Sequence, residues 1–148
     1  FIPHVVEPSF GSDRLVYVVL EYAYHIKDNR AILSFPRDIA PIQLGVYPLV
    51  SKDGLPEKAL EVYRILVNEG FVVEYDDGGS IGRRYARADE VGIPLGITID
   101  YETLKDETVT IRDRDSWEQV RTNTKNLPGK LWNFFHFKID FHDLGCAV

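Results

Sequence analysis

The stretch Gly79–Asp100, "GSIGRRYARADEVGIPLGITID", carries two periods in one run. Ser80 is a helix-capping residue type, and "IGRRYARADEVG" after it places Ile81, Tyr85 and Ala88 at helical spacing for a buried side. "IPLGITID" then changes period, with Ile97 and Ile99 on one face of a strand. A helix that hands the chain to a short strand is a building step of a sheet covered by helices.

The alternation extends both ways. Upstream, "IQLGVYPLV" reads as a strand and "SKDG" as a turn. Pro56 suits the first turn of a helix whose buried stripe is Ala59, Leu60, Tyr63, Leu66 and Val67, and Gly70 closes it. "FVVEY" is the next strand, and "DDGG" is a turn with two flexible positions. Downstream, "ETVTIRDR" is a strand with Val109 and Ile111 inward. "DSWEQVRTNTKN" reads as a helix, Ser116 and Gln119 fitting a capping box. This order predicts an α/β fold: a mixed sheet covered by helices, without internal repeats.

Before that unit, "HVVE" reads as a short strand and "PSFG" as a turn. Ser12 or Asp13 can cap a helix beginning near Arg14, with apolar residues at Leu15, Val18, Val19, Tyr22 and Ile26, and "HIKDNR" ends it. "SFPRDIAP" reads as a linker, placing a boundary between Ile32 and Gln43. Three regions are expected: a strand-helix unit over 1–34, an α/β unit over 35–127, and an aromatic tail over 128–148. In the tail Phe135, Phe137, Ile139 and Phe141 alternate with His136, Lys138, Asp140 and His142, the pattern of an edge strand or a docking segment.

The 148 residues, 45% of them hydrophobic, suit one ordinary domain. The longest apolar runs fall short of a membrane span. Cys146 stands alone, so no intrachain disulfide forms; this fits a cytosolic setting. The chain has no methionine, which suggests an internal or C-terminal portion of a longer protein. A formal net charge of -6 argues against bulk binding of nucleic acid but leaves room for a local basic face.

Candidates for such a face exist. Arg83, Arg84 and Arg87 can share one side of a helix near its start, where backbone N–H groups also favour anions. Arg112 and Arg114 lie outward on the strand pattern, opposite in phase to Val109 and Ile111, and Arg121 and Lys125 are spaced i, i+4 on the last helix. RNA phosphate is one partner for these arginines. The other reading pairs them with Asp89, Glu90, Asp113 and Asp115 to fix turns. Tyr47, Phe71, Tyr75 and Tyr101 are either stacking platforms for bases or core residues. The "GG" has no Lys-Ser/Thr pair after it, which excludes a phosphate-loop NTPase. His136, Asp140, His142 and Cys146 are zinc-ligand types whose spacing matches no strong motif.

"EPSFGSDRLVY", Glu7–Tyr17, resembles the third signature motif of class II aminoacyl-tRNA synthetases. "LSFPRDIAPIQLGVYPLV", "GSIGRRYARADEVGIPLGITID" and "TVTIRDRDSWEQVR" resemble the C-terminal anticodon-binding domain of the glycyl members of archaeal and eukaryotic type. The resemblance runs from about Pro3 to Leu127, and "GSIGRRYARADEVGIP" followed by "TIRDRDS" is its most specific part. The segment after Pro128 has no counterpart in it and is expected to be divergent or foreign.

The resemblance implies a ligase that activates glycine with ATP and passes it to tRNA(Gly). It implies a cytoplasmic homodimer with no membrane contact, and a catalytic domain whose other motifs lie before Phe1. It makes Arg14 a clamp on the ATP phosphates, Glu7 a carboxylate near ATP and its Mg²⁺, Ser9 part of the glycine pocket, and Gly11 a point of close backbone approach to the nucleotide. By residue type alone, Glu7 reads as a solvated strand residue and Arg14 as a surface helix residue. For tRNA, the resemblance and the charge pattern together nominate Arg83, Arg84, Arg87, Arg112 and Arg114. The chain by itself is expected to recognise the anticodon without catalysing or holding a cofactor, and it can stand as a monomer. The alternative is a synthetase-like scaffold or subunit-interaction module that binds no RNA.

Overall fold

Alternating side chains set the sheet's two faces, and the chain supplies enough apolar residues to cover one of them completely. The structure is a computed structural model that describes residues 1–148. Its elements in chain order are α1 (Ser12–Ala23), β1 (Tyr24–Lys27), β2 (Arg30–Leu33), β3 (Leu44–Pro48), α2 (Leu55–Asn68), β4 (Val73–Tyr75), α3 (Ile81–Val91), β5 (Leu95–Ile99), α4 (Thr103–Asp106), β6 (Thr108–Asp113), β7 (Gln119–Asn123), α5 (Leu127–Phe135), a 3₁₀ turn (Phe141–Leu144) and β8 (Cys146–Ala147).

Six strands form one sheet in the order β4-β3-β5-β6-β7-β8. β3 pairs in parallel with β4 and with β5, each pairing requiring a helical crossover, through α2 and then α3. The remaining pairs are antiparallel. The sheet is therefore mixed and helix-covered, as the sequence predicts.

Leu44, Val46, Leu95, Ile97, Ile99, Val109, Ile111 and Val120 point to one face. Leu55, Ala59, Val62 and Leu66 of α2 pack on them, together with Leu131, Phe134 and Phe135 of α5 and Leu144 beyond it. The predicted α2 stripe is rotated slightly: Val62 is buried and Val67 exposed. Pro56 does lie in the first turn of α2, and Gly70 takes a positive φ of 91° just past its end. On the other face, Tyr47, Ala88 and Ile93 form a smaller core with Ile42, Ile81 and Tyr85. α3 covers only part of that face. Gly45 on β3 faces α3 from beneath Tyr47, where an added Cβ would stand 1.7 Å from the tyrosine oxygen.

Four local expectations change. Residues 1–11, including "HVVE", have no regular structure and are exposed. "HIKDNR" opens a hairpin: α1 passes directly into β1, and Asp28 and Asn29 take φ of 47° and 61° in the turn to β2. Two successive left-handed residues match the twist of flanking strands, and Asp and Asn tolerate that conformation best after glycine. "DSWEQVRTNTKN" forms strand β7 rather than a helix. Val120 and Thr122 turn inward and β6 is free to pair, so the period of two wins. Ser116 belongs to the turn instead, its N–H and hydroxyl both donating to the Asp113 carboxylate at 2.7 and 2.8 Å.

The tail also differs from its pattern. Pro128 lies in the first turn of helix α5, whose apolar residues enter the main core, and β8 pairs with β7 at the sheet edge. Residues 128–148 thus complete the α/β unit rather than lying apart from it. Arg37 of the linker stacks over Phe134 and Phe137, 4.1 Å from each ring. Phe35 beside it is buried. No helix is long and apolar enough to cross a membrane.

Candidate nucleic-acid interface

The five nominated arginines separate into two groups by burial. Arg84 is the largest fully buried side chain of the structure, at 1% exposure. Its guanidinium donates to the carbonyls of Pro48, Asp77 (2.7 Å) and Gly79 (2.7 Å), tying the end of β3 to the loop before α3. Arg112 forms a two-pronged pair with Asp89 of α3, at 2.9 and 3.1 Å. The expectation that Arg112 and Arg114 point outward is corrected: both are buried, because the sheet face opposite the main core is the one that α3 covers. Arg114 donates to the carbonyls of Gly92 (2.9 Å) and Phe35 (2.8 Å) and pairs with Asp115, fastening the linker to the end of α3. Arg84, Arg112 and Arg114 therefore commit their terminal guanidinium nitrogens to the fold. They are not open phosphate clamps.

Arg83 and Arg87 remain at the surface. Arg87 pairs with Asp76 through Nε at 2.9 Å and reaches the Gly78 carbonyl at 2.6 Å. Burial works against the charged form of Asp76, but the bonds from Arg87 and from the Gly78 N–H outweigh it and lower its pKa. The Arg83 side chain makes no hydrogen bond or ion pair. Ser80 occupies the N-cap of α3 without a side-chain capping bond; the Arg83 and Arg84 N–H groups donate to the Ser80 carbonyl at 3.0 and 3.2 Å, which leaves the N–H groups of Ile81 and Gly82 without a partner beside Arg83.

Next to α3 a cleft of about 500 Å³ opens over β5, β6 and β7, with Thr98 and Thr110 buried at its floor. Thr98, Thr110 and Arg121 lie side by side across those strands, in register. Tyr85 of α3 forms one wall, its hydroxyl bonded to Thr98. Tyr101 and Glu102 form the opposite wall, and the exposed Tyr101 donates to Asp53 at 2.7 Å. Arg121 grips Asp100 through both terminal nitrogens, at 2.7 and 2.8 Å. The cleft thus offers aromatic surfaces, hydroxyls and a charged pair within reach of one another, the groups that recognise unstacked bases.

Sequence reading counts Arg121 among the basic candidates but leaves it out of the nominated tRNA-binding residues, because it places it on a helix with Lys125. The signal was present in the alternation Val120, Arg121, Thr122. Of the proposed stacking platforms, Tyr47 and Phe71 are buried in the cores and Tyr75 is half-buried on β4. Tyr101 is the one at the cleft.

Arg121 holds the Asp100 carboxyl down to about 2, helped by the Thr103 N–H. The folded pKa lies below the ordinary 3.8, so the pair stabilises the fold above pH 3.8 and loses that contribution as pH falls through about 2. After allowance for solvent screening the effect is about 1 kcal/mol. Urea denaturation between pH 6 and pH 2 should show Asp100→Asn less stable than the unaltered chain at pH 6 by that amount, with the gap shrinking toward zero as pH falls through about 2.

Glu7, Ser9, Gly11 and Arg14 are brought together with nothing else. All are exposed, Arg14 sits in the first turn of α1, and the side chains of Glu7, Ser9 and Arg14 make no hydrogen bond. Most of the apolar surface of α1 is likewise uncovered. The possible zinc ligands of the tail do not converge, and no group of three or more His, Cys, Asp or Glu could hold a metal ion.

The sequence matches a family model described as the anticodon binding domain (HGTP_anticodon) over residues 43–133. It is 58% identical to the glycine–tRNA ligase of Aeropyrum pernix over 149 aligned positions, covering all of this chain and 26% of that protein. The glycine–tRNA ligase of Methanocaldococcus jannaschii is 50% identical over 126 positions, 85% of this chain and 22% of that one. The chain therefore spans about a quarter of the length of the curated relatives it matches. The first of these matches includes residues 128–148. Among solved structures, the prolyl-tRNA synthetase of Cryptosporidium parvum complexed with L-proline and AMP superposes with a TM-score of 0.72 at 22% identity, over 84% of this chain and 26% of that one. That likeness shows the shared fold.

Proposed function

The chain belongs to the anticodon-binding-domain family, and from that premise we propose that it is the tRNA-recognising portion of a glycine–tRNA ligase. The family match over 43–133 carries the reading. The cleft beside α3 takes unstacked bases of the tRNA(Gly) anticodon loop, with Tyr85 and Tyr101 as walls and Arg121 and Asp100 presenting donors and acceptors. Arg83, Arg87 and the open N-terminus of α3 hold the RNA backbone next to it.

The whole ligase would join glycine to tRNA at the expense of ATP, as a cytoplasmic homodimer. Arg14 would hold the ATP phosphates, Glu7 would stand near the Mg²⁺ that neutralises them, Ser9 would line the glycine pocket, and Gly11 would let the backbone pass close to the nucleotide. Glu7 and Arg14 fit this task, since neither is committed to an ion pair in the fold. Catalysis requires several elements to position the reactants, and this stretch brings only one. The chain alone should therefore form no glycyl-adenylate.

The test is binding of tRNA(Gly) by the unaltered chain and by the double variant Arg83→Ala/Arg87→Ala. Affinity should fall about 10-fold, and the slope of log affinity against log salt should shrink by about 2, one for each cation removed. Unchanged affinity and slope would remove the phosphate face. No binding by the unaltered chain would favour a scaffold that recognises no RNA.

A further inference from the structure

The cleft continues into a second furrow. Tyr85 and Gln119 line both, and the furrow, about 380 Å³, adds Asp28, Arg30, Gly82, Arg112 and Trp117. Its walls come from two parts of the chain that the sequence separates. One wall is the β1–β2 hairpin, which follows directly from the helix bearing Arg14. The other is α3 with the β6–β7 turn.

Trp117 stands at the junction. Its backbone is held at a φ of 68°, and its N–H bonds to the Asp113 carbonyl at 3.0 Å. The indole Nε1–H is buried without an acceptor. Three cations surround the ring: Lys27 at 4.4 Å, Arg30 at 5.5 Å and Arg112 at 5.6 Å from its centroid. Two of them are committed, Lys27 to the Asp115 carbonyl at 2.6 Å and Arg112 to Asp89. The Arg30 side chain is exposed and makes no hydrogen bond or ion pair. An aromatic ring with an unspent guanidinium beside it, in a furrow continuous with a base-binding cleft, suits one more nucleotide of a single strand.

We propose that this furrow is a second nucleotide subsite, in which Trp117 stacks a base and Arg30 holds its phosphate. The proposal rests on the RNA-binding reading and extends it: the hairpin of the motif-bearing unit takes part in binding the anticodon loop. RNA seated there touches both parts of the chain at once, so occupancy of the cleft bears on the position of the hairpin and of α1 behind it.

The probe is the anticodon stem–loop of tRNA(Gly), added to the chain carrying Trp132→Phe so that Trp117 is the sole indole. Binding should quench Trp117 fluorescence. Arg30→Ala should weaken binding about 5-fold and reduce the salt slope by about 1. Trp117→Ala should weaken it about 10-fold or more, as loss of one stacked base does. Urea denaturation of each variant separates loss of binding from loss of fold. If Trp117→Ala proves unfolded, the fluorescence response and the Arg30→Ala slope decide. Binding without quenching, together with an unchanged slope in Arg30→Ala, would overturn the subsite while leaving the main cleft intact. No binding by the parent chain would overturn the RNA reading and the subsite with it.

Discussion

Replacing Arg112 with alanine should cost about 3–5 kcal/mol of unfolding free energy, because it leaves a buried carboxylate with no counter-charge. The Asp89 side chain is 1% exposed and that of Arg112 7%, so water cannot take over the missing partner. The pair joins α3 to β6, and the Arg112 guanidinium also lies 4.7 Å from the Tyr85 ring centroid. Losing it removes the clamp that sets the height of α3 over the sheet, and with it one wall of the cleft. Urea denaturation measures the loss. The double variant Arg112→Met/Asp89→Leu should recover most of it, since two apolar side chains leave nothing buried and unpaired. A loss below about 1 kcal/mol in Arg112→Ala would mean that water reaches Asp89 after all.

Arg84→Ala should follow at about 3 kcal/mol, from the loss of charge-assisted bonds to buried carbonyls. The three acceptors lie on Pro48 at the end of β3 and on Asp77 and Gly79 in the loop before α3, so one guanidinium bridges two segments of the chain. Arg84→Lys should rescue little, because one ammonium on a flexible stem lacks the planar fork that reaches several carbonyls together. The variant also separates support from contact. Arg84→Ala should weaken tRNA binding by loosening the loop before α3 and leave the salt slope unchanged, as no phosphate contact is removed. A slope reduced by about 1 would instead make Arg84 a phosphate ligand.

Much of the fold is legible in the run from Gln43 to Asp113. There strands of alternating or fully apolar residues meet turns rich in glycine and aspartate, and Pro56 and Gly70 bracket a helix. Each local preference agrees with the neighbouring one, which is the condition for reading structure from sequence. The hairpin after α1 and strand β7 are less legible. "HIKDNR" and "DSWEQVRTNTKN" carry residue types compatible with a helix end or a capping box, and their strand character depends on a partner. β1 forms only with β2, and β7 has β6 on one side and β8 on the other.

The candidate site divides along the same line. That arginines cluster at the start of α3, and that an acidic chain can still hold a basic face, follows from the sequence. Which arginines can meet a ligand does not. Arg83 and Arg84 are adjacent in sequence, yet one is exposed and the other 1% exposed. A helix turns 100° per residue, so neighbours diverge, and the direction of the loop around Pro48 and Gly79 decides which one is enclosed.

By itself the sequence determined the α/β class, the positions of α2, α3, β3, β5 and β6, and the family resemblance, because these rest on short-range periodicity and on residue order. Tertiary structure alone decided that the aromatic tail closes the main core, that Arg84, Arg112 and Arg114 serve the fold, and that Arg121 and Asp100 meet in an open cleft beside Tyr85. Those outcomes depend on burial and on pairs distant in sequence, such as Asp89 with Arg112 and Asp100 with Arg121. Charge patterns along a chain do not distinguish a guanidinium facing water from one enclosed by carbonyls, since desolvation is a property of the packed molecule.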